Sequence, residues 1–259
     1  MSHQPRAVVA RRALLVGPLV LGSFLLAAAT PVQMSHATDP PGLIDGSPVT
    51  HGNPAVVLVG DSITALNLGT VEQQLQAHAV PSWRIAAQSG RRTTQALHAG
   101  STTITSGLDA VAAVRAAGVD PDLWVVALGT NDLGAIAGCQ CADKRAFARA
   151  RVQSMLDAIG PNHHVAWVTV RHASYPGTTV LFNDVVRTMS LGNPSLTIID
   201  WYALSAGRQS WLPDGIHPSL PAAAALFAEV AHTVADLLPQ WVVPAGSPAP
   251  PSSTPSPPS

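Results

Sequence analysis

The sequence predicts an α/β fold of three layers, helix over sheet over helix, around a parallel sheet of five strands. Short, nearly continuous apolar runs alternate with longer segments in which apolar residues recur at helical spacing, which is the pattern of βαβ units. Strands that helices cover on both faces are apolar throughout rather than alternating. A chain of 259 residues with only 11% charged residues can bury one sizeable core, and we expect one domain.

The predicted elements alternate along the chain. Apolar runs predict strands at residues 55–59, 83–87, 123–128, 165–170 and 196–199. Helical spacing predicts helices at residues 66–79, 108–117, 142–159, 180–189 and 221–238, the last of which is rich in alanine. Open α/β sheets bind ligands at the carboxyl ends of their strands, so a functional site is expected in the segments that follow the strands.

The N-terminal segment, residues 1–37, has the order of an export signal peptide. Arg6, Arg11 and Arg12 precede an apolar run at 13–29, and small residues follow, ending at Ala29 or Ala37. A retained membrane anchor is the alternative, because the run approaches the length that spans a bilayer. Either reading predicts a protein that is secreted or held at the cell envelope.

Two further stretches flank the predicted domain, which spans residues 54–241. Residues 38–53 are predicted to be a linker. Residues 242–259 are rich in Pro and Ser and predict a disordered tail, since this composition cannot bury a core. The tail is either an unused terminus or a spacer or glycosylated stalk in the cell envelope, so both ends of the chain are candidates for envelope association.

Charge argues against a polymeric anion as partner. The chain has a formal net charge of -1, from 14 basic and 15 acidic residues, and no long run of either sign. A nucleic-acid interface or a polybasic membrane patch is therefore not expected. A small-molecule or glycan ester is the expected partner.

Cys139 and Cys141 are the only cysteines of the chain. In an oxidising compartment they are predicted to form a local disulfide that stiffens one loop. Two free thiols are an alternative. Half of a metal site is the weaker alternative, because no further cysteine exists and no histidine lies nearby at ligand spacing.

Ser62 follows the first predicted strand and opens the first helix, which makes it a candidate nucleophile. A serine hydroxyl needs a base, and the base needs an orienting group. His217 and Asp214 supply both within the turn-forming sequence Pro213-Asp214-Gly215. Taken separately, each has a plain alternative: a helix-capping serine, and a surface turn followed by an ordinary histidine.

Acyl transfer also needs donors for the oxyanion of the tetrahedral intermediate. The candidates are the N–H of Ser62, the N–H of Gly90 and the side-chain amide of Asn131. The alternatives are a plain turn for Gly90 and a helix cap for Asn131.

Together these residues resemble the SGNH (GDSL-type) hydrolase family. Gly60-Asp61-Ser62 resembles its block I, Gly90 block II, Gly129-x-Asn131-Asp132 block III and Asp214-x-x-His217-Pro218 block V, in the same order. Such joint occurrence by chance is improbable, at roughly one in 10⁴ or less. The resemblance covers the whole predicted domain and implies the flavodoxin-like fold of the family. One departure is the stretch before Gly90, where family members often carry Asn and this chain has Ala86, Ala87 and Gln88.

The resemblance implies Ser62 as nucleophile, His217 as base, Asp214 as its orienting group, and Ser62, Gly90 and Asn131 as oxyanion-hole donors. Asp61 and Asp132 are then structural, fixing their loops through hydrogen bonds to nearby backbone. Neither a metal nor an organic cofactor is required. An ordinary α/β-hydrolase elbow is disfavoured, because position 64 is Thr rather than Gly.

The predicted function is hydrolysis of carboxylic esters by an exported serine esterase, with short acyl groups or acetylated sugars as favoured substrates. An O-acyltransferase acting on envelope glycans would use the same triad. A non-catalytic glycan-binding envelope protein is the alternative from another class, although such a protein would be expected to lack a triad member. Trp211 either lines the substrate pocket or is a buried structural residue.

Overall fold

The structure, a computed structural model, describes residues 43–46, 54–99 and 101–241. The predicted signal peptide and tail lie outside these residues. The strands are β1 (Leu43–Gly46), β2 (Val56–Gly60), β3 (Trp83–Ala87), β4 (Leu97–Ala99), β5 (Thr102–Ile104), β6 (Leu123–Ala127), β7 (His164–Val168) and β8 (Leu196–Ile199). The helices are α1 (Ser62–Ala65), α2 (Leu68–Ala77), α3 (Gly107–Ala116), α4 (Leu133–Ala137), α5 (Lys144–Ile159), α6 (Pro176–Leu191), α7 (Trp201–Leu204) and α8 (Leu220–Trp241). Short 3₁₀ turns form at Thr130–Asp132 and Gln209–Trp211.

The main sheet has the order β1-β3-β2-β6-β7-β8. Its last five strands run parallel to one another, which confirms the predicted parallel sheet. β1 pairs antiparallel with β3 at the edge and lies in the stretch predicted as a linker. β4 and β5 form a separate hairpin inside a predicted loop. Neither β1, which contains Asp45 and Gly46, nor the three-residue strands β4 and β5 forms an apolar run long enough to predict a strand.

Helices cover both faces of the sheet, as expected for three layers. Along β2, Val56 and Leu58 face α2 and α8 in one apolar cluster, while Val57 and Val59 face α3, α5 and α6 in the other. All four are 1% exposed or less, because successive side chains of a strand point to opposite faces. A strand covered on both sides must therefore be apolar at every position.

Two predicted helix starts differ from the observed ones for local reasons. The helix predicted at 66–79 corresponds to α2, which begins two residues later, and the short helix α1 precedes it. The turn between α1 and α2 is held by Asn67, whose Nδ2 donates to the carbonyl of Ile63 at 2.8 Å. α6 begins four residues before its predicted start, with Pro176 as its first residue. Proline suits this position, since its missing N–H would have no partner there.

Within the described part of the chain, the segment Leu220–Leu238 of α8 is long and apolar enough to cross a membrane by length and composition alone. One side of it packs in the core, through Ala223, Phe227, Val230 and Val234, each 1% exposed or less. A helix that closes the core of a globular domain shows the same composition.

The strand order reverses direction at β2, which places its carboxyl end between those of two later strands. Gly60 lies level with Ala87 of β3 and Ala127 of β6. The loops that follow these three strands therefore begin side by side. This is the position at which open α/β sheets hold their ligands.

Candidate active site

Ser62 is the first residue of α1, and the residue before it caps the helix. Asp61 is the N-cap, and its Oδ1 accepts the backbone N–H of Ile63 at 2.9 Å. The interpretation of Ser62 as a helix cap is therefore wrong. Because Asp61 serves as the cap, the Ser62 hydroxyl is available to another partner.

Asp61 is itself deeply buried, with 1% of its surface exposed. Burial raises the pKa of this carboxyl to about 7, against the lowering effects of the hydrogen bond that it accepts from Ile63 and of the charge of His217. Its second oxygen, Oδ2, accepts from Nδ2 of Asn131 at 3.3 Å. Asp61 thus joins the start of α1 to the loop after β6, which agrees with the structural role predicted for it.

Asp214 and His217 form one compact turn. Oδ1 of Asp214 accepts the backbone N–H of Ile216 at 2.9 Å and of His217 at 2.7 Å. Its other oxygen, Oδ2, lies 2.7 Å from Nδ1 of His217. The hydrogen bond from the imidazole, followed by the two backbone bonds, holds the pKa of Asp214 well below its usual range. A single carboxylate therefore both closes the turn and orients the ring.

Gly215 makes this turn possible. Its φ of +83° lies in the left-handed region, which side chains other than glycine rarely adopt. A Cβ at this position would lie 2.7 Å from Cβ of Ala173. The Gly215 carbonyl accepts the N–H of Ala173 at 2.8 Å, so the loop after β7 packs directly against the turn that carries His217.

The far nitrogen of His217 reaches Ser62. Nε2 lies 3.0 Å from Oγ of Ser62. Because the Asp214 carboxylate only accepts, Nδ1 carries the ring proton and Nε2 accepts the serine O–H. The three residues form one hydrogen-bonded chain, Ser62 to His217 to Asp214, in the arrangement that activates a serine for attack on a carbonyl carbon.

Asn131 lies in the 3₁₀ turn after β6, between the other two loops. Its Nδ2 donates to Oδ2 of Asp61 at 3.3 Å and to the carbonyl of Arg91 at 3.1 Å. Gly90 precedes Arg91 in the loop after β3 and has a φ of +80°. The structure thus ties the predicted oxyanion residue Asn131 to the Ser62 loop and to the Gly90 loop. An oxyanion would compete for an amide hydrogen with the longer of these bonds, the one to Asp61.

Arg91 is a residue of the site that the sequence reading missed. It is 2% exposed, and its Nη1 donates to the carbonyls of Ala86 at 2.6 Å and Gly60 at 3.3 Å. Nε and Nη2 reach the carbonyl and hydroxyl of Thr105 at 3.3 and 3.0 Å. Burial lowers the pKa of this guanidinium to about 10, so it stays protonated at neutral pH. Nothing in the sequence distinguishes Arg91 from the adjacent Arg92.

Gln88 belongs to the stretch before Gly90 in which family members often carry Asn, and it holds the same loop. Its Oε1 accepts from the N–H and the hydroxyl of Thr105 at 2.9 and 2.8 Å. Its Nε2 donates to the carbonyl of Thr103 at 3.2 Å. Through these bonds, the Gln88 side chain connects the hairpin of β4 and β5 to the Gly90 loop.

Asp132 fixes two loops from a fully buried position. Its oxygens accept the N–H and the hydroxyl of Thr93 at 2.9 and 2.8 Å. Nε of Arg151 lies 3.3 Å from the same carboxylate. The predicted structural role covers the bond to the Thr93 backbone, whereas the ion pair to Arg151 of α5 was not foreseen.

The three remaining predicted residues lie outside this hydrogen-bonded network. Trp211 stacks on the buried Trp201 with ring centroids 5.8 Å apart, and the guanidinium of Arg208 lies 4.2 Å above its ring. These contacts agree with a structural tryptophan. Cys139 and Cys141 are bonded to each other in the structure, in the arrangement predicted for them.

Comparisons with known proteins agree with this geometry. Residues 58–225 match the GDSL-like Lipase/Acylhydrolase family. No curated protein matches the sequence of the chain.

Among solved structures, the chain is similar to a lipase/acylhydrolase from Enterococcus faecalis, with a TM-score of 0.54 and 22% identity over 70% of this chain and 95% of that one. It is also similar to a carbohydrate esterase family 3 protein from Talaromyces cellulolyticus, with a TM-score of 0.53 and 17% identity over 71% and 98%. A third is the C-terminal catalytic domain of peptidoglycan O-acetyltransferase A from Streptococcus pneumoniae, with a TM-score of 0.50 and 17% identity over 73% and 94%.

At these identities the structural similarities establish the three-layer α/β/α fold. The family match rests on the sequence itself and spans 58–225, more than half of the chain. Both agree with the resemblance carried by Ser62, Gly90, Asn131 and His217. The chain belongs to the GDSL-like lipase/acylhydrolase family, a family of ester-hydrolysing enzymes.

Proposed function

We propose that this protein is an exported serine esterase that hydrolyses carboxylic esters, with Ser62 as nucleophile, His217 as base and Asp214 as the group that orients the base. The observation that carries the proposal is the unbroken hydrogen-bonded chain of 3.0 Å from Ser62 to His217 and 2.7 Å from His217 to Asp214.

The reaction follows from the roles of these groups. Nε2 of His217 takes the serine proton as Oγ of Ser62 bonds to the ester carbonyl carbon, and the resulting oxyanion is stabilised by the donors at Ser62, Gly90 and Asn131. The imidazolium returns the proton to the departing alcohol, which leaves an acyl group on Ser62. Water then attacks the acyl-enzyme with His217 again as base, and the acid is released.

Short acyl esters or acetylated sugars are the proposed substrates. The similarity to a carbohydrate esterase family 3 protein, which covers 98% of that chain, supports a sugar ester. The apolar N-terminal segment after Arg11 and Arg12 supports an exported protein that meets glycans at the cell envelope.

A chromogenic ester panel from acetyl to palmitoyl tests this function. We expect acetate release by the wild-type protein, activity that falls with acyl length, and loss of activity in Ser62→Ala. Ser154→Ala is the matched control, because Ser154 lies on α5 and its hydroxyl bonds the carbonyl of Ala150. Full activity in Ser62→Ala would refute the mechanism, and a preference for palmitoyl esters would refute the substrate class. Fractionation of cells that produce the full chain tests export.

An O-acyltransferase is the second candidate, and the similarity to the catalytic domain of a peptidoglycan O-acetyltransferase favours it. Such an enzyme would pass the acyl group from Ser62 to a glycan hydroxyl instead of water. Product analysis with and without a glycan acceptor separates the two reactions. Free acid as the main product at every acceptor concentration supports hydrolysis. If an acylated glycan is the main product already at low acceptor concentration, acyl transfer is the function and the hydrolase proposal is wrong.

A further inference from the structure

A cavity of about 210 Å³ lies beside the turn that carries the triad histidine. It is bounded by the loop after β7, the first turn of α6, and the segment from α7 to the Asp214 turn. Among the described residues that line it, none carries a carboxylate, and one carries a fixed positive charge. Its lining includes Arg171, His172, Thr179, Tyr202, Gln209 and Gly215.

The cavity adjoins the triad rather than a remote surface. Gly215, which lines it, lies between Asp214 and His217, and its carbonyl holds Ala173 of the opposite wall at 2.8 Å. His172, also on the wall, is close enough to the triad that, besides the lowering of its pKa by burial, the charges of Asp214 and His217 act on it. β7 lies two strands from β2, and this strand spacing is about 10 Å, so the cavity is within one or two sugar units of an ester that reacts at Ser62.

Arg171 supplies the positive charge, and three of its five N–H donors are unused by the described residues. Nη1 donates to the carbonyl of Tyr202 at 3.2 Å and lies 3.5 Å from Oγ of Ser205, and the guanidinium lies 5.3 Å from the Tyr202 ring. Within the described residues, Nε and Nη2 have no hydrogen-bond partner and no carboxylate pairs with Arg171. These two nitrogens form one edge of the planar guanidinium, the edge that binds a carboxylate through two parallel bonds.

Two further features favour an anion at this place. The hydroxyl Oγ1 of Thr179 is buried at the cavity wall without a hydrogen-bond partner, in a residue that is 1% exposed. Thr179 belongs to the first turn of α6, a helix of 16 residues whose N-cap, Tyr175, makes no side-chain capping bond. The dipole of such a helix start favours negative charge nearby.

We propose that this cavity binds a carboxylate of the ester substrate through Arg171, so that the preferred substrates are acetyl esters of acidic sugars such as uronic acids. The inference rests on the proposed esterase function. A planar, singly charged carboxylate matches one guanidinium edge, whereas a phosphate dianion is usually held by several cations or many backbone donors. Gln209 and Tyr202 add polar and aromatic surface suited to a sugar ring.

A matched pair of substrates tests the preference: an acetylated methyl glucuronoside and its glucuronamide, which has the same shape without the charge. We expect kcat/KM for acetate release to be about tenfold to a hundredfold higher for the acid, and the difference to shrink at high salt. Arg171→Gln should remove the preference while 4-nitrophenyl acetate, which carries no carboxylate, is hydrolysed within about twofold of the wild-type rate. Arg171→Lys should keep part of the preference, because it keeps the charge but not the two-bond edge.

Arg187→Gln is the control. Arg187 lies 6.0 Å from the same Tyr202 ring, but its guanidinium is already paired with Asp200 at 2.8 Å, so its loss should leave the preference for the acid intact. Equal hydrolysis of acid and amide by the wild-type protein, or a preference that survives Arg171→Gln, would overturn the proposal. An equal loss on all substrates in both Arg171 variants would assign Arg171 a structural role instead.

Binding provides a readout that does not depend on catalysis. Calorimetric titration of Ser62→Ala with glucuronate should show binding that glucuronamide lacks and that Ser62→Ala/Arg171→Gln loses. If no ester is hydrolysed but glucuronate binds through Arg171, the esterase proposal fails and the carboxylate site stands. Absence of glucuronate binding, or equally strong binding of inorganic phosphate, would overturn the carboxylate site whatever the activity.

Discussion

The hydroxyl of Ser62 and the imidazole of His217 lie 3.0 Å apart although 155 positions separate them in the chain. The contact is made across the carboxyl end of the sheet, between the residue that follows β2 and the turn that precedes α8. The contact depends on Asp61, which caps α1 in place of Ser62. It also depends on Asp214, whose carboxylate accepts a hydrogen bond from Nδ1 on the opposite side of the imidazole. Among the residues that the structure describes, the Ser62 hydroxyl therefore has one side-chain partner, the imidazole of His217.

Replacement of Ser62 by alanine should lower kcat for ester hydrolysis by at least about 10³-fold. The physical reason is the loss of the attacking oxygen, with the cap at Asp61 and the fold left in place. Steady-state rates on a short-chain ester, with circular dichroism to show that the fold is kept, measure the effect. Ser154→Ala should keep wild-type rates, and equal losses in the two variants would contradict the assignment.

Gly215→Ala should lower both stability and activity, with a cost of about 1–3 kcal/mol. The added methyl would lie 2.7 Å from Cβ of Ala173 at a residue whose φ is +83°, so the turn that orients His217 must shift. Gly207→Ala is the matched control, because Gly207 has a φ of +73° but nothing within 4 Å of the added atom. The free energy of unfolding in urea and kcat should both be lower in Gly215→Ala than in Gly207→Ala. The same loss of kcat in Gly207→Ala would show that the contact with Ala173 is irrelevant.

Asp61 should make stability fall as pH rises from about 4 to 7. Its pKa is raised from 3.8 to about 7 by burial, so the folded protein holds a proton in this range that the unfolded chain releases. The neutral carboxyl therefore contributes fully below pH 4, and that contribution, roughly 4 kcal/mol, is lost by pH 7.

Asp61→Asn removes this titration and keeps a capping side chain. Free energies of unfolding measured from pH 4 to 8 should therefore move in favour of the variant as pH rises. Asp143→Asn, at the exposed cap of α5, controls for the loss of one acidic group. If the difference in free energy of unfolding between Asp61→Asn and the wild-type protein stays constant from pH 4 to 8, the raised pKa of Asp61 is refuted.

Asp132→Ala should destabilise the protein by about 3 kcal/mol. The change leaves Arg151, whose side chain is 12% exposed, without its ion-pair partner and frees the N–H of Thr93. Asp143→Ala, which removes only a helix cap on α5, should cost about 1 kcal/mol. Urea unfolding of both variants checks that Asp132→Ala loses more stability than Asp143→Ala. The opposite order would show that the buried pair contributes nothing.

The double variant Cys139→Ser/Cys141→Ser should lose at most about 1.5 kcal/mol of stability, since the disulfide closes a loop of only three residues. Thiol titration of the unfolded protein, before and after reduction, checks that the bond forms. One or more reactive thiols per chain without reductant would contradict the disulfide, and a loss well above 2 kcal/mol would contradict the loop argument.

Much of the fold was predictable because its main strands are buried on both faces. Val56 to Val59 of β2 read as an unbroken apolar run for that reason. β1 escaped prediction because Asp45 and Gly46 leave it without an apolar run, and its place at the sheet edge is set by pairing with β3, about 40 positions away. The start of α6 at Pro176 was missed because helical spacing alone does not mark the first turn.

For the site, short motifs pointed to the candidate triad, since Asp214 and His217 lie within one turn and Ser62 lies two residues after a strand. Arg91 and its bonds to Gly60, Ala86 and Thr105 had no such signal. A charged residue in a loop is usually solvated, and only the packing of three separate segments shows that this one is buried.

The sequence by itself determined the layers of the fold, the family and the identities of the candidate triad, because these depend on local composition and on motifs whose members are neighbours in the chain. The tertiary structure alone decided that Ser62 faces His217 and that Asp132 pairs with Arg151. It also decided that Arg171 lines a cavity whose described lining residues include no carboxylate. Each depends on strand order and on distances between loops far apart in sequence. Such distances are set by the packing of the whole domain, and no local pattern of residues records them.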